Sequence, residues 1–592
     1  MVVLHMIFNP PNLQDVKTLV LDTETTGLDW KTHKTVGYVV ATGDQSWYFP
    51  VGHAGSNLPR TPVERWLKNL VANPDLRTIG HARKFDLHHM ANHGIIPMGP
   101  VECTMVNATL LDENQGSFSL EKISNLYPDV PNKEGSELYA HMANKFGGEP
   151  DRKQMANFHK LTGDDSLAVA YAKGDGLSTW GIWTHQQKQL DAENLRLVWG
   201  VECRVIKVLF KMERRGVRVD EDKLHKLKIK LEGALHVAQK KLPKDFNVRS
   251  TKQIADYLRR SKVEGWPITE KGNDSFTEGW LSGNPVGRTI VEVRKISNLL
   301  NSFVGPLIKE HIFKGRVHTT FNQLRQDEFG TVTGRLSSSN PNLQQVPKRD
   351  KVLAPLFREV FLPEEGHKWS ANDYSQQEFR VFADYTGSSL LIRGYKAVPP
   401  VDIHSMIAQL LHVDRDPAAK RINLGLVYGM GIIKLARSLD VMEEEARRLM
   451  NEYHEMIPEA RKFLREAETW AKRRGWVRTK LFRRRRFPDI RLAHKAGNSV
   501  IQGTSADMTK LKMVEVDGWF EESSAESALM LQVHDELDWT MAPDEEGINK
   551  RAKEIMEDFG ATAKIHFEVP MKVDASVASN WGTASFPEYN YG

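Results

Sequence analysis

The sequence predicts an α/β protein of several domains, and three observations carry that expectation. The chain has 592 residues, room for roughly four domains with sizeable cores. Short apolar runs end in carboxylates over 18–29, 368–373 and 529–541, as strands that deliver acids to a loop are written. Between them lie long charged stretches of helical pattern, from about 188 to 235, over 294–308 and over 416–428.

Composition narrows the class. Apolar residues make up 40% and charged residues 27%, which describes a soluble globular chain. The net charge of +5, from 81 basic and 76 acidic residues, is too mild for a uniformly basic protein, so any polyanion site must be local. Residues 472–486 supply nine Lys/Arg and no acid, interleaved with Trp476 and Phe482, and are expected to contact phosphates. Cys103 and Cys203 lack CxxC spacing, which argues against disulfides and zinc and for a reducing, cytoplasmic setting. No run of 18 apolar residues occurs, and Met1–Phe8 has neither a basic n-region nor a cleavage site. Neither a membrane span nor export is expected.

Taken in order, Thr18–Asp29 reads as an apolar strand running into Asp22 and Glu24, and alternation places both carboxylates on one face. Gly80-His-Ala-Arg-Lys-Phe-Asp86 follows an apolar segment, and Tyr171 and Asp175 share a helix face at i, i+4 spacing. No motif is readable over 113–163. Downstream, a strand carries Asp373 to its end, with a helix expected from about Ser375. Leu529–Met541 reads as a tight hairpin with Asp535 and Glu536 at its tip. Two carboxylates distant in sequence, each at a strand end, suit a two-metal site, because Mg²⁺ takes hard oxygen ligands and leaves room for phosphates. Asp416-Pro417 predicts an N-cap and first helical residue, opening a helix through Tyr428 with Lys420, Leu424 and Tyr428 on one face. Asn498 and Gln502 are likewise four apart.

These motifs resemble a known family. Asp373-Tyr-Ser-Gln-Gln-Glu378-Phe-Arg380 with Val533-His-Asp-Glu536, and Thr331-Val-Thr-Gly-Arg335, are similar to the signatures of family A DNA polymerases of Klenow type. The resemblance covers most of the chain. It implies an RNase H-like exonuclease domain over 1–187, then a right-hand polymerase: thumb with the start of the palm over 188–330, palm over 331–390, fingers over 391–499, and palm again over 500–592. Asp22, Glu24, Asp86, Tyr171 and Asp175 resemble the DEDD-type 3′→5′ exonuclease set, with Tyr171 orienting the attacking water.

In the polymerase the resemblance implies metal ligation by Asp373, Asp535 and the Tyr374 carbonyl, with Glu536 close by. Glu378 resembles the steric gate against a ribose 2′-OH, with Gln376 ordering it. Lys420 would neutralise the triphosphate and protonate the leaving pyrophosphate, and Tyr428 would stack near the templating base. His404 resembles a triphosphate-contacting histidine. Arg335, Asn498, Gln502 and His534 are the implied DNA contacts. The cofactor implied is Mg²⁺, two ions per active site, with Mn²⁺ as a substitute. The implied partners are primer-template DNA and dNTPs, with a phage replisome or processivity factor that no motif identifies.

Four positions depart from the family pattern. Ala82 stands where asparagine is usual, which implies weakened proofreading. Leu424 replaces an aromatic beside the sugar. Asp416 replaces a second triphosphate-binding arginine, for which Arg415 is the substitute. His494 replaces an arginine on the DNA side. Two other readings stay open: a single-subunit RNA polymerase, opposed by Glu378 and the exonuclease set, and an exonuclease whose polymerase site is dead.

Overall fold

The computed structural model describes residues 8–131, 135–269, 272–324, 331–427, 429–560 and 564–589. The expectation for Tyr428, and that for the Leu424 side chain, lie outside the described residues. The first part is built on strands β1 (Thr18–Thr25), β2 (Thr35–Thr42), β3 (Gln45–Pro50), β4 (Arg77–Gly80) and β5 (Val101–Cys103). They form one sheet in the order β3-β2-β1-β4-β5, antiparallel from β3 to β1 and parallel from β1 to β5. β2 is apolar on both faces because both are covered: Tyr38 and Val40 face one core, Val36 and Val39 another. Helix α1 (Arg83–Ala91) follows β4, and α2 (Ser166–Ala192) crosses the second face. A Cβ at Gly176 would come within 2.9 Å of Val39 and Ala41, so this glycine lets α2 sit close against β2.

Helix α3 (Arg196–Arg215) leads out of this part with an apolar stripe through Val198, Val201, Val205 and Leu209. Helices α4 (Glu221–Gln239) and α5 (Pro285–Leu299) carry a separate small core with Ile254, Leu258 and Phe276. α5 begins as its sequence dictates, with Pro285 in the first turn and Asn284 accepting from the Gly287 amide at 2.6 Å. Beyond Leu299 the expected helix through residue 308 loosens into two π-type turns, Leu300–Val304 and Leu307–His311.

Strand β6 (Lys368–Tyr374) runs into α6 (Gln377–Thr386), two residues later than expected. Helices α7 (Ile403–Leu411), α8 (Lys420–Val427) and α9 (Pro458–Arg474) follow, then a short hairpin of β7 (Trp476–Arg478) and β8 (Arg484–Arg486). The long helix α10 (Ala496–Glu522) precedes β9 (Ala528–Val533), β10 (Glu536–Met541) and β11 (Val573–Ala578). These three strands and β6 make an antiparallel sheet in the order β9-β10-β6-β11. Trp369, Trp539 and Trp581 are fully buried in this part, with Trp369 and Trp581 stacked 5.7 Å apart.

Two expectations need correction. The divisions at 187/188 and 499/500 fall inside α2 and α10, both 27 residues long, because no linker interrupts either helix. By contrast, the helix expected from Asp416-Pro417 opens there. Asp416 is extended at φ −121° and ψ 123°, as an N-cap residue before proline is, and the π-type turn Arg415–Ala419 runs straight into α8 at Lys420.

The second correction concerns the basic stretch 472–486, which does not form one phosphate-facing surface. Lys472–Arg474 at the end of α9 and Arg478 stay exposed, but Arg483–Arg486 turn inward. Arg484 meets Glu193 at 2.9 Å, and Arg485 and Arg486 meet Glu113 at 3.0 and 2.9 Å. They dock the hairpin onto the exonuclease part, through acids that lie hundreds of residues away along the chain. Arg483 is buried. It pairs with Glu202 of α3 and, at 2.7 Å, with Asp507 of α10. Lys510 completes the group, 2.8 Å from Glu202.

Two acids and two bases thus cancel in the interior, and removing one leaves the others buried and unbalanced. Arg483→Met is expected to lower stability by about 3–5 kcal/mol. Calorimetry would read this as a clear fall in Tm. An unchanged Tm would mean that water already screens the network.

Candidate active sites

The first site lies on β1. Asp22, Glu24 and Asp175 bring carboxylate oxygens within 4.8 Å of one another, two from the strand and one from α2. Asp86, on α1, stands beside this cluster. Its Oδ1 accepts from the Thr23 amide at 3.1 Å and the Thr23 hydroxyl at 2.8 Å, and its buried Oδ2 has no hydrogen-bond partner among the described residues. Burial, then the Asp22 charge, push the Asp86 carboxyl well above its ordinary range. Buried Arg83 donates to the Leu21 carbonyl at 2.6 Å and fixes the start of α1 against β1. A Cβ at Gly80 would lie 2.6 Å from Arg83 Cδ and 3.2 Å from Asp86 Oδ2, so only glycine leaves both side chains their room. Tyr171 is half-buried on α2, one turn before Asp175, with its ring 6.2 Å from Phe158. Ala82 caps α1 at φ 57°, in the left-handed region.

The second site sits at the strand ends of the four-stranded sheet. Asp373 on β6 pairs with Glu536 on β10, and His534 and Asp535 form the two-residue turn between β9 and β10. His534 takes φ 59°, as such a turn requires. The Tyr374 amide donates to the Asp535 carbonyl at 3.4 Å, which sets the turn beside the end of β6. Gln344 donates to the Gln532 side chain at 2.7 Å, and Gln532 in turn donates to the His534 carbonyl. Asp373 Oδ1 has no hydrogen-bond partner among the described residues. Burial and then Asp535 push the Asp373 carboxyl up to about 7, and burial raises Asp535 as well. Asp538, two residues beyond Glu536, is fully buried, and burial with the Glu536 charge pushes its carboxyl far up.

Sequence reasoning missed Lys348. Its ammonium bridges Asp373 Oδ2 at 3.2 Å and Glu536 Oε2 at 3.1 Å. Burial alone would lower that ammonium's pKa, but the two carboxylates hold it above its ordinary value. Nothing in Val346-Pro-Lys-Arg349 signals this role, because the acids it meets lie far along the chain.

Around this edge the other expected residues fall in different settings. Glu378 on α6 is ion-paired with Arg335. Burial raises the Glu378 carboxyl, opposed by Arg335. Gln376 accepts from the Tyr395 hydroxyl at 2.8 Å. Asn498 and Gln502 are half-buried on α10. Lys420 is exposed at the start of α8. Arg415 is held by Asp402 at 2.6 Å and by Asp416, and so is already paired. His404 is buried rather than presented, with a ring nitrogen 2.8 Å from Asn423 Nδ2 of α8 and the ring 5.7 Å from Phe379.

A carboxylate-edged antiparallel palm preceded by an RNase H-like sheet with its own acid cluster defines a polymerase that carries an exonuclease. The chain belongs to DNA polymerase family A: the family profile matches residues 221–583, and that of the 3′-5′ exonuclease matches residues 11–191. It is 31% identical to DNA polymerase DpoZ of Salmonella phage PMBT28, over 97% of this chain and 98% of the relative. DNA polymerase I of Chloroflexus aurantiacus is 30% identical over 97% of this chain and 62% of its own length. The solved POL domain of Pol1 from M. smegmatis, in complex with DNA primer-template and dNTP, matches with a TM-score of 0.78 at 25% identity, covering 96% of each chain.

Two outcomes follow from this geometry. An acid with a raised folded pKa favours the native state while protonated, so its contribution is full below about pH 4 and is lost as pH rises through about 7. In chelator, the Tm of Asp373→Asn minus that of the wild type should therefore grow between those limits. A constant difference would contradict the raised Asp373 pKa. Ala82→Asn should stabilise the fold by about 1 kcal/mol, since asparagine accepts the left-handed conformation more readily than alanine. A lower Tm would count against it.

Proposed function

We propose that the palm edge extends a primer 3′-OH on a DNA template with dNTPs, and that the β1 cluster trims mispaired 3′ ends. The observation that carries this reading is the meeting of Asp373 and Asp535 at adjacent strand ends, with Glu536 alongside and Asp373 Oδ1 unsatisfied. This donor set suits a hard divalent cation, and Mg²⁺, with Mn²⁺ as a substitute, fits an all-oxygen site at both centres. Asp373, Asp535 and the Tyr374 carbonyl would hold the palm ions; Asp22, Glu24, Asp86 and Asp175 would hold those of the exonuclease. Bound there, the ions supply charge neutralisation and activation of the attacking oxygen.

The chain's own residues do the rest. Lys420, exposed at the helix start, meets the triphosphate and gives a proton to the departing pyrophosphate. Arg415 can join it only by leaving Asp402 and Asp416. His404 supports that surface through Asn423 and need not touch phosphate itself. Glu378, held by Arg335, fills the space of a 2′-OH and so favours dNTPs, with Gln376 beside it. Arg335, Asn498, Gln502 and His534 line the DNA side, where a minor-groove acceptor common to all pairs can be tested without reading sequence. Leu424 and Tyr428 belong to the nucleotide-binding set by the family pattern alone. In the exonuclease, Tyr171 orients the water.

Relatives among phage polymerases support a role in phage DNA replication in a bacterial host cytoplasm. No described helix is long and apolar enough to cross a membrane. A replisome or processivity partner belongs to the same reading, with no surface assigned to it.

The test is a 5′-labelled primer on a longer template, with Mg²⁺, with and without dNTPs. Wild type should lengthen the primer with dNTPs and shorten it without them. Asp535→Asn should lose extension on the order of 10³-fold or more and keep trimming, and Asp86→Asn should do the reverse. Extension that survives Asp535→Asn would overturn the palm assignment.

A further inference from the structure

Lys348 is the one cation that forms salt bridges to Asp373 and Glu536 among the described residues. Its placement is built into the fold. The preceding carbonyls of Val346 and Pro347 accept from buried Arg358, at 3.4 and 3.1 Å. The Arg358 guanidinium itself lies 4.1 Å over the ring of fully buried Trp581. On the other side, Asp350 accepts from the Leu353 amide at 2.8 Å and pairs with Lys295 of α5 at 3.0 Å. The backbone on both sides of residue 348 is therefore fixed, while the side chain remains about half exposed.

Three carboxylates, Asp373, Asp535 and Glu536, crowd this edge, and the Arg335 cation nearby is already taken by Glu378. The oxygens that Lys348 holds belong to Asp373, which would hold a divalent ion, and to Glu536, which stands alongside it, in the reading proposed above, on which this inference rests.

We propose that Lys348 is an internal counter-cation that occupies the metal face of the palm carboxylates and must be displaced when a divalent ion binds. Its ammonium holds Asp373 and Glu536 together in the ion-free protein. The same contact competes with the ion, so Lys348 sets how much divalent metal the polymerase site requires. It acts as a positioning residue through the carboxylates rather than on substrate.

The experiment measures Mn²⁺ binding to the full chain by electron paramagnetic resonance and by calorimetry, without DNA or nucleotide. A Glu24→Ala, Asp86→Ala background removes the exonuclease ions. Lys348→Met should bind Mn²⁺ about fivefold more tightly than the parent, the effect of removing two partly exposed salt bridges. It should also show a lower Tm in chelator and a larger gain on adding Mg²⁺. Lys348→Arg, which keeps the charge, should stay near the parent. Equal or weaker binding by Lys348→Met overturns the proposal, as does Lys348→Arg binding as tightly as Lys348→Met. Asp535→Asn in the same background separates the two ideas. If it binds Mn²⁺ like the parent, the metal assignment itself fails; if it loses binding while Lys348→Met is unchanged, only the role of Lys348 fails.

Discussion

Glu202, Arg483, Asp507 and Lys510 meet in the interior where α3, the β7-β8 hairpin and α10 converge. A lone buried charge would cost several kcal/mol, and even a pair breaks even only with good geometry. Here every charge has both an opposite partner and a hydrogen bond. Gln323 donates to Glu202 at 2.6 Å, the Thr479 hydroxyl to Asp507 at 2.6 Å, and Lys510 to the Gln323 carbonyl at 2.7 Å. Such a group suits specificity better than raw stability, because only one arrangement of three distant segments satisfies it. It fixes α10, and α10 packs against both β9 and α6, the elements that carry or abut the palm acids.

The same constraint links the two active sites. Arg484–Arg486 continue from Arg483 along one short strand and bind Glu113 and Glu193 at the edge of the exonuclease part. A second tie lies at Glu213 of α3, which accepts from His88 at 2.8 Å and from the Phe321 amide at 2.6 Å, and also pairs with Lys84. Lys84 and His88 sit on α1, beside Asp86. The helix that delivers an exonuclease carboxylate is thus bolted to the base of the polymerase through one buried acid. The two sites are held in a definite relation by charge pairing rather than by a linker.

Legibility in the sequence followed the range of the interactions. Asp22, Glu24, Asp373 and Asp535 could be read because strand alternation and hairpin patterning are local. The run Leu529–Met541 shows its turn without help from elsewhere. A helix through Asn498 and Gln502 was readable from their spacing and the RNase H-like domain from the family resemblance, but the residue boundaries at 187/188 and 499/500 were not, since composition does not change where α2 and α10 continue. The basic run misled for a physical reason. A row of arginines looks the same whether it faces phosphate or carboxylate, and Glu113 and Glu193 lie 372 and 291 residues away from their partners Arg485 and Arg484. His404 was assigned a phosphate contact by resemblance alone, and its 2.8 Å pairing through Nδ1 with Asn423 of a neighbouring helix is another long-range contact that no local pattern shows.

Both carboxylate clusters face one electrostatic problem, which is to hold like charges together before any cation arrives. They solve it differently. In the exonuclease, the buried Arg83 charge and the neutral Thr23 amide and hydroxyl favour the Asp86 charge, and the Thr23 donors bind Oδ1 alone and so do not stand between Oδ2 and an ion. In the palm, the helper is a full positive charge on a flexible stem, placed on Asp373 and Glu536 beside the position an ion would take. A neutral donor can remain when the ion binds; a cation at the same face cannot remain without repulsion. The two centres should therefore differ in how strongly they discriminate against low divalent concentrations, with the palm the more demanding. That difference would let end-trimming persist where extension fails, and it arises from the placement of one lysine rather than from the number of acids.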